Sequence, residues 1–498
     1  MKNIAYQTRL FKSRRENSHK EYRNFIDQLE IVDQILTASG IEFEFVEYYF
    51  EQHSVNCIAA GKPIFKQSPK QRDRLVQYAI QALRCNYLVR ERDWSCREAA
   101  FIIAASEELQ RFIFAGDFTY AKCPGKTKIN DFNSIVPEEF IRKINDSLLA
   151  QFADASRSKN YGLGKPLGAK TLWIDGTCLE ANIHFPVDWV LLRDAVRTLI
   201  KAIICCRKHG LKHRIPAPQS FISQINSLCM EMANCRRRKD AVKRRKEVLR
   251  KMKKLVAIVK THAQRYRDLL YSNRTKTDLS EKEAAQILER FDNILEKLPA
   301  AVKQAHKRII TGLKLDKDEK ILSFYDDTAA AIVRGKSGAE VEFGNELFIA
   351  EQADGFICDW QLYEHKVADQ QKLRDFNERI SESDIEVETV VGDRGFYGKR
   401  NSKILEKNNI TNHLCPKSPV QYIELAQEPE FIENQKRRSQ TEGRISAVKR
   451  FIGKKVPCRE LESKRQHTAW AMLSHNLHLL ARMIAAARAE ATSVAKVA

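Results

Sequence analysis

Two aspartates stand where apolar, β-prone segments run out. Asp175 follows Leu172, Trp173 and Ile174 in LWIDGTC, and Asp393 follows Val390, Val391 and Gly392 ahead of Arg394, Gly395, Phe396 and Tyr397. A carboxylate embedded in an apolar strand is costly unless it is paired or binds a metal ion. Taken singly, either residue reads first as a turn-forming aspartate at a strand end. Glu442 is a third candidate, because Arg438, Glu442 and Lys449 stand four and then seven residues apart in KRRSQTEGRISAVKRF. At 3.6 residues per turn those offsets place all three on one helical stripe, as an ordinary salt-bridge ladder also would. Gly443 inside the stretch argues against a segment optimised only for helix, since glycine there costs about 1 kcal/mol relative to alanine. Acidic oxygens brought to one point from rigid elements suit hard divalent ions, Mg²⁺ or Mn²⁺. Phosphodiester chemistry without a covalent intermediate uses two such ions, one at the attacking and one at the leaving oxygen. Asp359, after the strand segment GFIC, is the first substitute to weigh.

Two other clusters carry potential chemistry. Cys206, His209 and His213 have the spacing of one helical face and could hold a metal, but Gly210 favours a helix end that would spoil the alignment. No CxxC pair occurs among the 12 cysteines, which speaks against a disulfide framework or a zinc ribbon. From Arg236 to Lys254, twelve Lys or Arg oppose only Asp240 and Glu247, a net +10 expected on one helix. Such a run is usually a solvated face, and Val242, Leu249, Met252, Leu255 and Val256 are expected to pack on its other side. Charge this dense along a rod also suits a phosphate backbone, with Arg244, Arg245 and Lys246 as the expected DNA contacts.

The elements that must position these residues read as follows. Residues 1–160 are helical in pattern, with two short helices around Pro137 that suit a helix-turn-helix DNA reader as well as a plain bundle. A Gly-, Ser- and Lys-rich stretch at 156–168 reads as a linker, followed by the strand carrying Asp175. Residues 190–312 return to helix in three long stretches, too long for a loop and so expected as an inserted basic helical subdomain. Beyond Lys320 come a strand hairpin, a short amphipathic helix, the strand ending at Asp393, a brief strand, and helices at about 436–449 and 467–487. The order indicates an α/β fold with a mixed sheet, built from 161–189 and 313–498.

At this point a family resemblance emerges. IDGTCLEANIHFPVD, VVGDRGFYGKR and the Arg-x3-Glu-x6-Lys pattern resemble the three catalytic blocks of bacterial insertion-sequence DDE transposases, in the branch with a Tyr-x2-Arg-x3-Glu-x6-Lys signature. The resemblance implies an RNase H-like catalytic domain and an N-terminal all-helical DNA-binding domain. It also implies two Mg²⁺ or Mn²⁺ ions held by Asp175, Asp393 and Glu442, with Arg438 and Lys449 at the transposon end. The activity implied is strand cleavage at terminal inverted repeats and transfer of the 3′-OH ends into target DNA, by a homodimer in the synaptic complex. Gln435 stands where the signature has tyrosine. The alternative is a non-cleaving DNA-binding regulator on the same fold.

Composition agrees with a polyanionic partner. The 498 residues include 85 Lys plus Arg against 64 Asp plus Glu, a net charge of +21, and attraction to phosphates is the main sequence-independent term in DNA binding. Ribosome or anionic-membrane binding would fit the same balance. The first 25 residues lack a signal-peptide core, and no stretch approaches the roughly 18 apolar residues of a membrane span. The expectation is a cytoplasmic, nucleoid-associated protein.

Overall fold

The computed structural model describes residues 19–59, 61, 68–114, 122–163, 165–168, 170–235, 239–316, 320–336, 339–383 and 385–497. It is a mixed α/β structure, mostly helical, with one mixed sheet. Two compact units divide the chain: 1–180 together with 344–498, and 181–343.

The strands are β1 (Thr171–Glu180), β2 (Ala330–Lys336), β3 (Ala339–Gln352), β4 (Ile357–Leu362), β5 (Thr389–Gly392) and β6 (Thr411–Leu414). Their order is β2-β3-β1-β5-β6, with β4 also pairing β3. β1 runs antiparallel to β3 and parallel to β5; β5 is parallel to β6, and β3 antiparallel to β4. All four residues of β5 are buried, the pattern of a parallel strand covered on both faces. Gly355, at φ +91°, turns β3 into β4, a conformation only glycine adopts at little cost. Beside it, Asn476 accepts from Ile357 N–H at 2.9 Å and donates to Ile357 O at 2.8 Å, while Asn145 also donates to that oxygen. Two buried asparagines thus satisfy backbone groups that the β-bulge at Ala350/Glu351 leaves irregular.

The helices of the first 160 residues share one apolar core with the sheet: Ile141, Ile144 and Leu148 belong to the same cluster as Phe348, Trp360 and Leu473. The expected linker at 156–168 is partly structured. It starts within the helix Ala155–Asn160 and buries Leu163 and Leu167, and Leu167 N–H bonds Phe152 O at 3.0 Å. Its Gly and Ser content signalled a tether, but two leucines placed against the core decide otherwise. The helices anticipated at 436–449 and 467–487 are longer, Pro429–Ile452 and Leu461–Val497.

The second unit has four long helices rather than three: Asp188–Lys208, Pro218–Asn234, Ala241–Ser272 and Glu281–Ala305. Its own core includes Leu192, Leu199, Leu249, Met252, Val259 and Phe291. The basic run does not form one helix. Its helix begins only at Ala241, after a turn at Lys239–Asp240, and Arg236–Arg238 lie outside the described residues. Val242 is 68 % exposed instead of packed, because the buried face starts only at Val248 and Leu249, nearly two turns later. Residues 181–343 hold 35 Lys and Arg against 19 Asp and Glu, a net +16, and the rest of the chain only +5.

Candidate functional site

Asp175 and Asp393 meet through strand register. β1 and β5 pair in parallel from Thr171↔Thr389 to Trp173↔Val391, so two residues on, Asp175 comes beside Asp393 on neighbouring strands about 4.8 Å apart. Gly392 shows that the alignment continues past the last ladder pair: a Cβ there would lie 3.0 Å from Ile174 Cγ1 and 2.8 Å from Leu414 Cδ2. Strand side chains alternate faces, so both aspartates share the face of Trp173 and Val391. That face carries the helix Pro429–Ile452. Trp173 Nε1 donates to Asn434 O at 3.1 Å, and the Arg437 guanidinium lies 3.7 Å over the Trp173 ring.

Each aspartate is locally capped. Asp175 Oδ1 accepts from Gly176 N–H and Asp393 Oδ1 from Gly395 N–H, both at 2.7 Å. Gly395 marks a close approach, and Gly176 an ordinary contact. A Cβ on Gly395 would meet Asp369 Oδ2 at 2.5 Å and Asp393 Oδ1 at 3.0 Å, and one on Gly176 would lie 3.4 Å from Lys372 Nζ. Behind them, buried Lys372 bridges Asp369 at 2.8 Å and Glu346 at 2.9 Å. Burial opposes the Lys372 charge, but the two carboxylates outweigh it and raise its pKa. Sequence reasoning passed over Asp369 and Lys372; the glycine one or two residues after each aspartate was the available signal.

A cleft of about 560 Å³ opens at Asp393, lined also by Arg394, Cys415, Tyr422, Gln435, Lys436 and Arg438. Three cations therefore face one carboxylate. Gln435, at the position of the signature tyrosine, donates to His413 O at 2.7 Å and Gly392 O at 3.4 Å, tying the helix to the ends of β5 and β6. Arg394 and Lys436 were not singled out from sequence, where nothing separates them from other surface cations.

The helix is held down by a buried carboxylate. Glu351 accepts from Arg437 at 3.1 Å and from Thr441 Oγ1 at 3.0 Å. Burial raises the Glu351 pKa, against the lowering pull of Arg437 and Arg444. Arg444 crosses the glycine turn and donates to Asp354 O at 3.0 Å. These contacts fix the rotation of the helix that also carries Arg438, Glu442 and Lys449. The Glu442 side chain lies outside the described residues; its backbone sits one turn beyond Arg438 on the same stripe. Among the described residues no three His, Cys, Asp or Glu converge as metal ligands would.

Asp359 is a structural ion-pair centre, buried and bonded to Arg142 and Arg379 at 2.6 Å each. The Cys206 cluster is dispersed, because its helix ends at Lys208 with Gly210 at φ +96°. His209 pairs with Asp278 at 2.7 Å, and His213 lies edge-on to Tyr266. Of the three expected DNA contacts on the long helix, Arg244 is engaged by Glu231 and Glu247, and Arg245 and Lys246 are half-buried. No helix among the described residues is long and apolar enough to cross a membrane.

The chain matches no family model, no curated protein and no solved structure.

Proposed function

We propose that this chain is a DDE transposase that cleaves DNA at terminal inverted repeats and joins the 3′-OH ends to target DNA. The observation that carries the reading is the parallel register of β1 and β5, which brings Asp175, in the middle of β1, level with Asp393 just past the end of β5. The strand order β4-β3-β1-β5-β6, with only β3 of these antiparallel to β1 and β4, β5 and β6 parallel to it, supports an RNase H-like sheet.

The donors fit Mg²⁺ or Mn²⁺, since Asp175, within β1, and Asp393, just past β5, offer only hard carboxylate oxygens from a rigid sheet. Asp175, Asp393 and Glu442 would hold the ions, two per site, which when bound activate the attacking oxygen and stabilise the leaving one. This chain's own contribution is positioning. Glu351, Arg437 and Trp173 set the rotation of the helix Pro429–Ile452. Arg438 then faces the cleft at Asp393, where it orients the phosphates of the DNA end, with Lys449 three turns further along the stripe. Gln435 spends its donor on backbone carbonyls, so it holds the helix rather than the DNA. Joining two ends in one event calls for at least a dimer during reaction, in the nucleoid where the DNA lies.

The test is incubation with Mg²⁺ or Mn²⁺ and a duplex carrying the inverted repeats that flank the gene. Cleavage at the repeat boundary is expected, and Asp175→Asn, Asp393→Asn or Glu442→Gln should lower it at least about a hundredfold with DNA binding kept. Binding without cutting would favour the non-cleaving regulator, and nicking at random positions a nuclease.

A further inference from the structure

Among the described residues of the inserted unit, one face of the helix Ala241–Ser272 carries a row of exposed cations. Within the helix Ala241–Ser272, Val248, Leu249, Met252, Leu255, Val256 and Val259 are buried. Lys243, Arg250, Lys251 and Lys254 are exposed on the opposite side. At 100° per residue, Lys243, Arg250 and Lys254 fall within about 40° of each other around the axis, and about 10 Å and 6 Å apart along it. No carboxylate pairs with any of the four among the described residues, and Glu247, the acidic residue of this stretch, is taken up by Arg244. Further along the same helix the pattern changes: Arg267 is neutralised by Asp292 at 2.9 Å and by Asp268. The helix therefore carries its cations most densely over Lys243–Lys254 and more sparsely beyond, at Lys260, Arg265 and the paired Arg267.

We propose that Lys243, Arg250 and Lys254, with Lys251 beside them, form a sequence-independent contact for the backbone of duplex DNA. This rests on the reading of DNA as the substrate and moves the contact away from Arg244, Arg245 and Lys246. The physical case is one of charge that the fold does not use. Cations that pack or pair stabilise the protein itself, whereas these four are exposed and have no carboxylate partner among the described residues. Duplex DNA carries about one charge per 1.7 Å of axis, so a straight rod of cations finds phosphates at any register, and binding releases counterions.

The experiment measures binding of the full-length chain to a random-sequence duplex and to the flanking-repeat duplex, in chelator, across salt concentrations. Each neutralised phosphate adds about −0.9 to the slope of log K against log salt. The variant Lys243→Gln/Arg250→Gln/Lys254→Gln should flatten the slope by about 2 to 3 on both duplexes alike. Lys243→Arg/Lys254→Arg should keep it, and Arg244→Gln should change it little. An unchanged slope in the triple variant overturns the proposal, as does a loss confined to the repeat duplex. Binding of phosphatidylserine vesicles as tightly as DNA through the same residues also overturns it, in favour of a membrane surface. A chain that shows this slope but never cuts refutes the proposed activity and leaves the stripe standing. A chain that cuts, with the triple variant keeping the wild-type slope, refutes the stripe alone.

Discussion

The unit holding the sheet and the inserted helical unit handle charge in opposite ways. The first is nearly balanced, at +5, and draws charges inside: Arg84 between Asp33 and Glu42, Lys372 between Asp369 and Glu346, Asp359 between Arg142 and Arg379, Glu351 under Arg437. The second carries +16 and leaves much of it on the surface, with Asp188, held by Gln304 and Arg308, as a buried charge. A buried pair contributes little net stability but strongly penalises any arrangement that separates its partners. Interior pairs therefore suit the unit that must hold carboxylates and a cleft in fixed geometry. Exposed cations without a carboxylate partner fix no geometry within the fold.

Removing one member of an interior pair should give the largest effect on stability. Glu351→Ala leaves the half-buried Arg437 guanidinium without its carboxylate, and should lower unfolding free energy by about 3 kcal/mol. Denaturant titration measures it, and a shift below a few tenths would remove Glu351 as the anchor of the helix. The same variant should slow any metal-dependent cleavage more than it weakens DNA binding, because it disturbs position rather than charge.

Acid should then weaken the sheet-bearing unit through two histidines of the helix Leu461–Val497. Burial, with Arg90 adding to it, pushes the His467 pKa down to about 3; burial likewise lowers His475 to about 4. Both are neutral when folded and gain a proton near 6.5 when unfolded. The unfolded chain thus binds more protons below that value. The stability they contribute is fully present above about pH 6.5 and is lost as pH falls toward 4 and then 3, by up to roughly 1.4 kcal/mol per pH unit for each. Unfolding midpoints between pH 6.5 and 5, above most carboxylate titrations, should fall steadily. A flat profile there would mean that these imidazoles are protonated in the fold.

The smallest effect is expected where the charge is unpaired. Lys243→Gln/Arg250→Gln/Lys254→Gln should leave the unfolding midpoint nearly unchanged, within about 0.5 kcal/mol, or raise it slightly as self-repulsion falls. A loss comparable to that of Glu351→Ala would show that the stripe serves the fold, and the contrast between the units would dissolve.

Much of the fold is legible in the chain itself. Apolar runs before aspartates located β1 and β5, although β1 continues five residues past Asp175 to Glu180; the Arg438–Glu442–Lys449 spacing located a helix, and the excess of Lys and Arg located a basic insertion. These are local signals, because strand and helix periodicities are written in consecutive residues. Three-dimensional packing decided the rest. Strand register, a relation between residues more than 200 positions apart, put Asp175 beside Asp393. Burial turned Asp359 from a candidate ligand into an ion-pair centre, and a helix start at Ala241 with Glu231 across from Arg244 moved the free cations to Lys243, Arg250 and Lys254. A side chain's charge is set by its sequence, but whether that charge meets water or a partner depends on which distant segment the fold brings alongside it.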